Sequence, residues 1–170
     1  MSTVVADASV IVKWFVEEDH SGPSLRMRDD HVSQRIMITV PAVAPFEVLN
    51  ALRYSGGFGT DDLVEISRTL DGYQFIEAPL KGDYAEEVAR LAMDLGIAVY
   101  DASYLALGKV RGIEVYTADE QLLKKVRKKL AFVRHVKDYA GPEAEKEQDG
   151  GSFAEPSSST TPSDAHGAPP

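Results

Sequence analysis

The sequence predicts an α/β domain in which helices flank a central, mainly parallel sheet. Three observations lead to this prediction. Short β-branched segments alternate with segments of helical spacing along the chain. The strand segments are continuously apolar, as in strands that are buried on both faces of a parallel sheet. The length of 170 residues and the 44% hydrophobic content suit a single domain with a core of its own.

The first elements alternate from the N-terminus onward. The segment TVVAD predicts a buried strand, and a stretch of helical spacing follows it. The more polar segment GPSLRMRDDHVSQ predicts a helix. IMITVP then predicts a second strand, which we expect Pro41 to end because proline cannot donate a hydrogen bond to a sheet.

Two further helices are predicted after the second strand. The segment AVAPFEVLNALRYSGG tolerates Pro45 only in the opening turn of a helix, and its two terminal glycines would end that helix. The next segment, TDDLVEISRTL, begins with a Thr/Asp capping signal, so we expect a helix that is capped at this point.

The second half of the domain continues the alternation. YQFIEA predicts a strand, and DYAEEVARLAMDLG predicts a helix because its apolar residues recur at i, i+3 and i+4 before a glycine. IAVYDASYLALGKVRG predicts a helix that begins at about Tyr100. The last three segments predict a strand, a helix and a strand: IEVYTAD, EQLLKKVRKK and AFVRHV.

Much of the acidity lies at the C-terminus. Residues 141–170 are rich in Ser, Thr, Pro and Gly, so we expect a disordered acidic tail after a domain of residues 1–140. The tail carries −5 of the net charge of −9, which leaves −4 for the domain. Seven bases lie within residues 124–137, and we interpret them as the solvated face of a helix, with phosphate contacts as the alternative. The overall acidity therefore does not exclude a nucleic-acid substrate.

Residue types and spacing exclude several kinds of site. The absence of cysteine excludes disulfides, thiolate nucleophiles and Cys-ligated metals. There is no nucleophile elbow and no Gly-rich phosphate loop, and the four histidines show no metal-ligand spacing: His20, His31, His135 and His166. Because the chain has neither a signal-peptide pattern nor an apolar run of ~18 residues, we expect a cytoplasmic protein without membrane contacts.

Three otherwise apolar segments each contain one carboxylate. STVVADASVIV surrounds Asp7, TVPAVAPFEVLNAL surrounds Glu47, and GIAVYDASYLALG surrounds Asp101. An ionised carboxylate in apolar surroundings is costly unless it is paired or binds a cation. A fourth acid, Asp119, ends the predicted strand IEVYTAD.

The positions of these acids predict that they converge. Asp7 and Asp119 follow predicted strands, at the sheet edge where open α/β sheets form ligand sites. Glu47 and Asn50 share one helix face because they are three residues apart. A hydroxyl group lies two residues from each strand-end acid, in Ser9 and Thr117. Four converging carboxylates would repel each other without a cation, and all-oxygen ligation suits Mg²⁺ or Mn²⁺. The reaction that most often uses such a site is phosphodiester hydrolysis.

Each residue also has a structural interpretation. Asp7, Asp101 and Asp119 are each compatible with a role as a helix cap, and Glu47 with an ion pair to Arg53. The hydroxyls of Ser9, Ser103 and Thr117 are more often caps than functional groups, and Asn50 is open between the two interpretations. The joint pattern favours a metal site because the structural interpretation would require a separate burial solution for each of three acids.

At these residues the chain resembles the PIN-domain nucleases, in particular the VapC-type ribonuclease toxins of toxin–antitoxin pairs. The resemblance covers about Thr3 to Tyr139 and rests on four motifs in order: VVADASVIVKWF, VPAVAPFEVLNALR, YDASYLALG and YTADEQLL. It implies a three-layer fold, Mg²⁺- or Mn²⁺-dependent cleavage of RNA, a small antitoxin partner and homodimers. By motif it implies four metal-binding acids, Asp7, Glu47, Asp101 and Asp119, with Ser9, Asn50 and Thr117 as supporting polar groups.

Other functions stay open at this point. A PIN-fold protein could act in RNA processing without an antitoxin, or serve as a catalytically silent RNA-binding or scaffolding subunit. A phosphoryl-accepting domain also uses acids and Mg²⁺ at strand ends. It would require paired acids after the first strand, where this chain has Asp-Ala-Ser.

Overall fold

The protein forms one five-stranded sheet that is entirely parallel. The computed structural model describes residues 1–142, so residues 143–170, with nearly all of the expected tail, lie outside the described part. The strand order is β3-β2-β1-β4-β5, and every neighbouring pair is parallel. The strands are β1 (Ser2–Ala6), β2 (Ile36–Pro41), β3 (Ile76–Ala78), β4 (Val115–Thr117) and β5 (Val133–His135). The predicted mainly parallel sheet is confirmed.

Seven α-helices and one 3₁₀ turn flank this sheet within residues 1–142, which gives the three-layer α/β architecture that was expected. The helices are α1 (Ala8–Val12), α2 (Ser21–Val32), α3 (Ala44–Ser55), α4 (Thr60–Gly72), α5 (Gly82–Leu95), α6 (Val99–Arg111) and α7 (Glu120–Val126), and the 3₁₀ turn is Val136–Asp138. Pro45 lies in the opening turn of α3 and Gly56 ends that helix at φ 78°, as the sequence predicted.

The centre of the core is β1 with the helices that cover it. Val4, Val5 and Ala6 are consecutive and all buried. Because successive side chains of a strand point to opposite faces, this burial shows that both faces of the sheet are covered. Helix α6 packs on β1, β2 and β4, and α2 packs on β2.

Several element boundaries differ from the prediction. Helix α6 begins at Val99, one residue before the expected start. Helix α4 is capped by Gly59, whose backbone N–H donates to the Asp62 carboxylate, rather than by the Thr/Asp pair itself. Strand β3 has only three residues of the predicted YQFIEA because only Ile76–Ala78 pair with β2, and Gln74 before them has φ 54°.

No single helix of the described residues is long and apolar enough to cross a membrane. Helices α5 and α6 meet that requirement only when they are taken together, and a bend of 120° separates them. The α6 side chains from Ala102 to Gly108 are buried within this domain.

Candidate metal centre

Asp7 lies at the carboxyl end of β1, directly beside the end of β4. Its backbone N–H donates to the Tyr116 carbonyl at 2.9 Å, which holds the two strand ends together. Oδ2 of Asp7 accepts hydrogen bonds from the Thr117 hydroxyl at 2.5 Å and from the Ser9 hydroxyl at 2.9 Å. The sequence placed Ser9 near Asp7 and Thr117 near Asp119, and in the structure both hydroxyls donate to Asp7.

Backbone amides orient both hydroxyls toward Asp7. The Ala118 N–H donates to the Ser9 oxygen at 2.9 Å, and the Asp119 N–H donates to the Thr117 oxygen at 3.0 Å. Because each hydroxyl oxygen accepts an amide proton, its own proton is available to the carboxylate. The loop after β4 thus positions Asp7 through two chains of hydrogen bonds, each running from a backbone amide through a hydroxyl to the carboxylate.

Glu47 occupies the first turn of α3 and contacts α6 through Tyr104. The Tyr104 hydroxyl donates to Oε2 of Glu47 at 2.6 Å, and the tyrosine is only 1% exposed. Burial and the charges of Asp7 and Glu47 raise the pKa of Tyr104, so it remains protonated and keeps donating. The alternative that Glu47 pairs with Arg53 is not observed within residues 1–142, where Arg53 lies over the Tyr54 ring.

Asp101 lies in the first turn of α6 and is half-buried. Within the described residues its carboxylate has no hydrogen bond and no ion pair. Burial raises the pKa of Asp101, the charges of Asp7 and Asp119 raise it further, and the charge of Lys125 opposes them. Asp101 is therefore a carboxylate held near like charges without a compensating contact.

Asp119 is the N-cap of α7. Its Oδ1 accepts the backbone N–H groups of Gln121 at 2.8 Å and Leu122 at 2.9 Å. The structural interpretation of Asp119 as a cap is thus observed. Its negative charge nevertheless raises the pKa of both Asp7 and Asp101. Capping uses one carboxylate oxygen, so it is compatible with a ligand role for the other.

The structure couples the four acids electrostatically, and we call them the acid cluster (Asp7, Glu47, Asp101 and Asp119). Burial is the largest cause of the raised pKa of Asp7 and of Glu47. The charges of Asp7 and Asp101 raise the pKa of Glu47 further. The cluster is open, because no three of its acids have ligand atoms that all lie within 4.8 Å of one another. Within residues 1–142 the one set of three potential ligands that meets this distance is His20, Glu120 and His135.

The donor set of the acid cluster fits Mg²⁺ or Mn²⁺. It offers only carboxylate oxygens. The raised pKa values of Asp7, Glu47 and Asp101 mean that negative charge in the cluster is costly, and a divalent cation would remove that cost. An open arrangement also suits Mg²⁺, which keeps several of its waters when it binds to proteins.

The predicted supporting residue Asn50, and Ser103, which was considered as a cap, have other surroundings. Asn50 lines a surface groove between α3 and α4, together with Phe46, Leu49 and Leu63, and its supporting role stays a prediction. The Ser103 hydroxyl donates to the Tyr100 carbonyl at 2.6 Å, which is the satisfied arrangement that the structural interpretation anticipated.

Sequence reasoning missed two side chains that act on the acid cluster. Tyr104 stands in the apolar run of α6, where its ring looks like core, and its position three residues after Asp101 was the available signal. Lys125 was counted among the solvated bases of the chain, yet its charge lowers the pKa of Asp101. Neither role follows from residue type alone.

Replacing Tyr104 with phenylalanine is expected to weaken the acid cluster without opening a cavity. The change removes the hydrogen bond that lowers the pKa of Glu47 and lets this carboxylate rotate. Loss of a partner that orients a metal ligand typically lowers metal affinity or activity by about 10-fold or more. Metal titration of the two proteins measures this loss.

Tyr84→Phe is the matched control for Tyr104→Phe. It also removes a buried tyrosine hydroxyl that donates to α6, at the Ser103 carbonyl, but Tyr84 has no bond to the acid cluster. Equal metal affinities of the two variants would contradict an orienting role for Tyr104.

Comparison with known proteins identifies the family. The PIN domain model matches residues 4–129. Ribonuclease VapC3 of Pyrobaculum aerophilum is 33% identical over 126 residues, which cover 72% of this chain and 93% of that protein. Exonuclease VapC9 of the same organism is 28% identical over 103 residues, 58% of this chain and 74% of that protein.

Among solved structures, a toxin–antitoxin complex from Klebsiella pneumoniae has the same fold. Its matching chain superposes with a TM-score of 0.56 at 14% identity, over 78% of this chain and 97% of that one. A likeness at this identity concerns the fold alone. The family model and the VapC3 relative carry the assignment further: this chain belongs to the PIN domain family.

Proposed function

We propose that this chain is a cytoplasmic, divalent-metal-dependent endoribonuclease that hydrolyses RNA phosphodiester bonds and acts as the toxin of a toxin–antitoxin pair. The observation that carries the proposal is the acid cluster of four carboxylates from separate elements: the charge of Asp119 raises the pKa of Asp7 and of Asp101, and the charges of Asp7 and Asp101 raise the pKa of Glu47. Membership of the PIN domain family and the ribonuclease name of the VapC3 relative support it.

In this proposal the acid cluster holds Mg²⁺ or Mn²⁺. When bound, the cation would supply an activated water and neutralise charge on the phosphate oxygens. Ser9 and Thr117 hold Asp7 in a fixed orientation, Tyr104 does the same for Glu47, and the first turn of α7 restrains Asp119. Asp101, which has no hydrogen bond within the described residues, is free to adjust to the ligand.

Helix α7 supplies the positive charge that a phosphate polymer needs. The exposed bases on and just after this helix are Lys124, Lys125, Arg127, Lys128 and Lys129. Lys125 is close enough to Asp101 for its charge to lower the pKa of that acid. A substrate phosphate at the acid cluster would therefore lie beside Lys125, and the following bases would contact the next phosphates of the strand.

Exposed apolar surface supports the proposal of protein partners. Phe46 is 74% exposed and lines the groove between α3 and α4 with Leu49, Leu63 and Val64. A second apolar region includes Leu80, Val99 and Tyr100. Apolar patches of this kind mark protein interfaces, and we assign them to a small antitoxin and to a second copy of the chain. The fold relative from K. pneumoniae was solved as a toxin–antitoxin complex.

The experiment that tests the proposal incubates the full chain with linear and circular RNA, including transfer, ribosomal and messenger RNA. We expect cleavage with Mg²⁺ or Mn²⁺, no cleavage in EDTA, and recovery when excess metal is restored. Cleavage of circular RNA identifies an endonuclease, because an exonuclease requires a free end.

Two outcomes contradict the proposal. Cleavage that persists unchanged in EDTA would exclude a role for the metal. Metal binding without cleavage of any of these RNAs would favour a catalytically silent RNA-binding or scaffolding subunit. Cleavage of linear but not circular RNA would correct the mode of attack from endonucleolytic to exonucleolytic, the activity in the name of the VapC9 relative.

A further inference from the structure

A second group of potential metal ligands lies next to α7, outside the acid cluster. One nitrogen each of His20 and His135 and one carboxylate oxygen of Glu120 all lie within 4.8 Å of one another. We call these three residues the histidine site. It has a different donor set from the acid cluster, with two imidazole nitrogens and one oxygen.

The fold assembles the histidine site from three separate segments. His20 lies in the loop before α2, Glu120 is the first residue of α7, and His135 is the last residue of β5. Strand β5 pairs with β4, and β4 leads into α7, so the end of β5 and the start of α7 meet at the same edge of the sheet. Sequence spacing gave no sign of this site, because its two histidines come from opposite ends of the domain.

His135 is the best-defined part of the histidine site. It is only 2% exposed, its Nδ1 accepts the Lys137 backbone N–H at 3.0 Å, and its Nε2 is buried without a hydrogen-bond partner in the described residues. A buried polar atom of this kind is rare in folded proteins and usually indicates a water or an ion. The His20 ring packs edge to face against it, with ring centroids 4.9 Å apart.

We propose that His20, Glu120 and His135 bind a transition-metal ion of the zinc class. Two imidazole nitrogens and one carboxylate are a ligand set that Zn²⁺ uses, whereas Mg²⁺ prefers oxygen ligands alone. Three protein ligands leave one position of a tetrahedral ion for water. The assignment of these three ligands does not rest on the proposed ribonuclease function, because none of them belongs to the acid cluster.

Binding through Nε2 of His135 requires one proton to move. Because Nδ1 accepts the Lys137 N–H, the neutral ring carries its proton on Nε2. If a metal bound the Nε2 lone pair, this proton would have to move to Nδ1, and the Lys137 N–H would have to turn away because two donors would then face each other. The ring would stay neutral, and three metal–ligand bonds would replace one neutral hydrogen bond.

A bound ion would join the loop before α2 to the start of α7. Glu120 directly follows Asp119, which caps α7 and belongs to the acid cluster. Occupancy of the histidine site therefore restrains the segment that carries Asp119. This geometry makes zinc a structural support beside the proposed catalytic centre.

The test measures Zn²⁺ binding to the full chain by calorimetry in an Asp7→Asn, Asp101→Asn background, which disables the acid cluster. We expect one Zn²⁺ per chain. Co²⁺ in its place is expected to give the intense visible absorption of a four- or five-coordinate ion with nitrogen ligands. His20→Asn and Glu120→Gln should each lower Zn²⁺ affinity by at least about 10-fold. Both positions are exposed, and asparagine tolerates the φ of 67° at residue 20.

Two control variants separate ligand loss from charge loss. Asp19→Asn removes an exposed acid next to His20, and Lys124→Ala removes the ion-pair partner of Glu120 at 3.9 Å, but neither removes a proposed ligand. We expect both controls to keep the Zn²⁺ affinity of the parent. Parent-like affinity in His20→Asn and Glu120→Gln, or no Zn²⁺ binding by the parent, would overturn the proposal. Zinc binding by a chain that cleaves no RNA would leave the histidine site standing and contradict only the ribonuclease function.

Discussion

Asp101→Asn is expected to lower divalent-dependent RNA cleavage by about 10²-fold or more, because a metal at the reacting phosphate contributes several kcal/mol of transition-state stabilisation. Asp101 has no hydrogen bond or ion pair within the described residues, so the substitution breaks no structural contact there. The loss should appear in single-turnover rates at saturating Mg²⁺ and Mn²⁺. Weaker metal binding by calorimetry should accompany it.

The same substitution should stabilise the metal-free protein at neutral pH. Burial and neighbouring acids raise the pKa of Asp101 in the folded chain, so the folded state binds its proton more tightly than the unfolded state does. The free energy of unfolding therefore falls as the pH rises from the ordinary Asp range through the raised pKa. Asparagine carries no charge, so Asp101→Asn avoids this loss above that range.

Asp83→Asn is the matched control for Asp101→Asn. Asp83 also lies in the first turn of a helix, α5, but it is exposed and lies outside the acid cluster. We expect it to leave cleavage unchanged and to lower stability slightly, because it removes a favourable charge from a helix N-terminus. If Asp101→Asn cleaves RNA at the wild-type rate, or lowers the melting temperature of the metal-free protein, the assignment of Asp101 is wrong.

The main features of the fold could be predicted from the sequence because its apolar patterns are unambiguous. A short, continuously apolar run such as IMITVP predicts a strand that is covered on both faces of the sheet. Gly56 can end α3 because glycine adopts a φ of 78° at no steric cost. The boundaries were less predictable, since they depend on partners distant in sequence. β3, for instance, extends only as far as its pairing with β2 allows.

The four acids could be singled out from the sequence because a lone carboxylate is conspicuous in an apolar run, and their role as metal ligands stays a prediction. The groups that orient them could not be singled out. Tyr104 cannot be distinguished from a core aromatic until the fold places α6 against α3, and the Thr117 hydroxyl reaches Asp7 only because β4 pairs with β1. The histidine site depends on the same kind of long-range proximity, which explains why the spacing of His20 and His135 predicted nothing.

Gly108→Ala is expected to destabilise the fold by about 1–3 kcal/mol, the usual cost of overpacking a core. Gly108 lies in α6 where this helix packs on β4, and a Cβ atom there would lie 2.2 Å from Cγ2 of Val115. It would also lie 3.0 Å from the Ile113 carbonyl oxygen, a backbone atom that no rotamer change can move. The helix propensity of alanine, better than that of glycine by up to about 1 kcal/mol, opposes this cost without cancelling it.

Gly22→Ala provides the comparison that isolates the packing effect from helix propensity. Gly22 lies in α2, and a Cβ atom there would meet nothing within 4 Å, so this variant should be as stable as the wild type or slightly more stable. Chemical denaturation of the three proteins measures the difference. Gly108→Ala should also cleave RNA more slowly, because relieving the clash moves α6, which carries Asp101 and Tyr104, away from the sheet edge that carries Asp7. A Gly108→Ala protein with wild-type stability would show that α6 and β4 pack less closely than the structure has them.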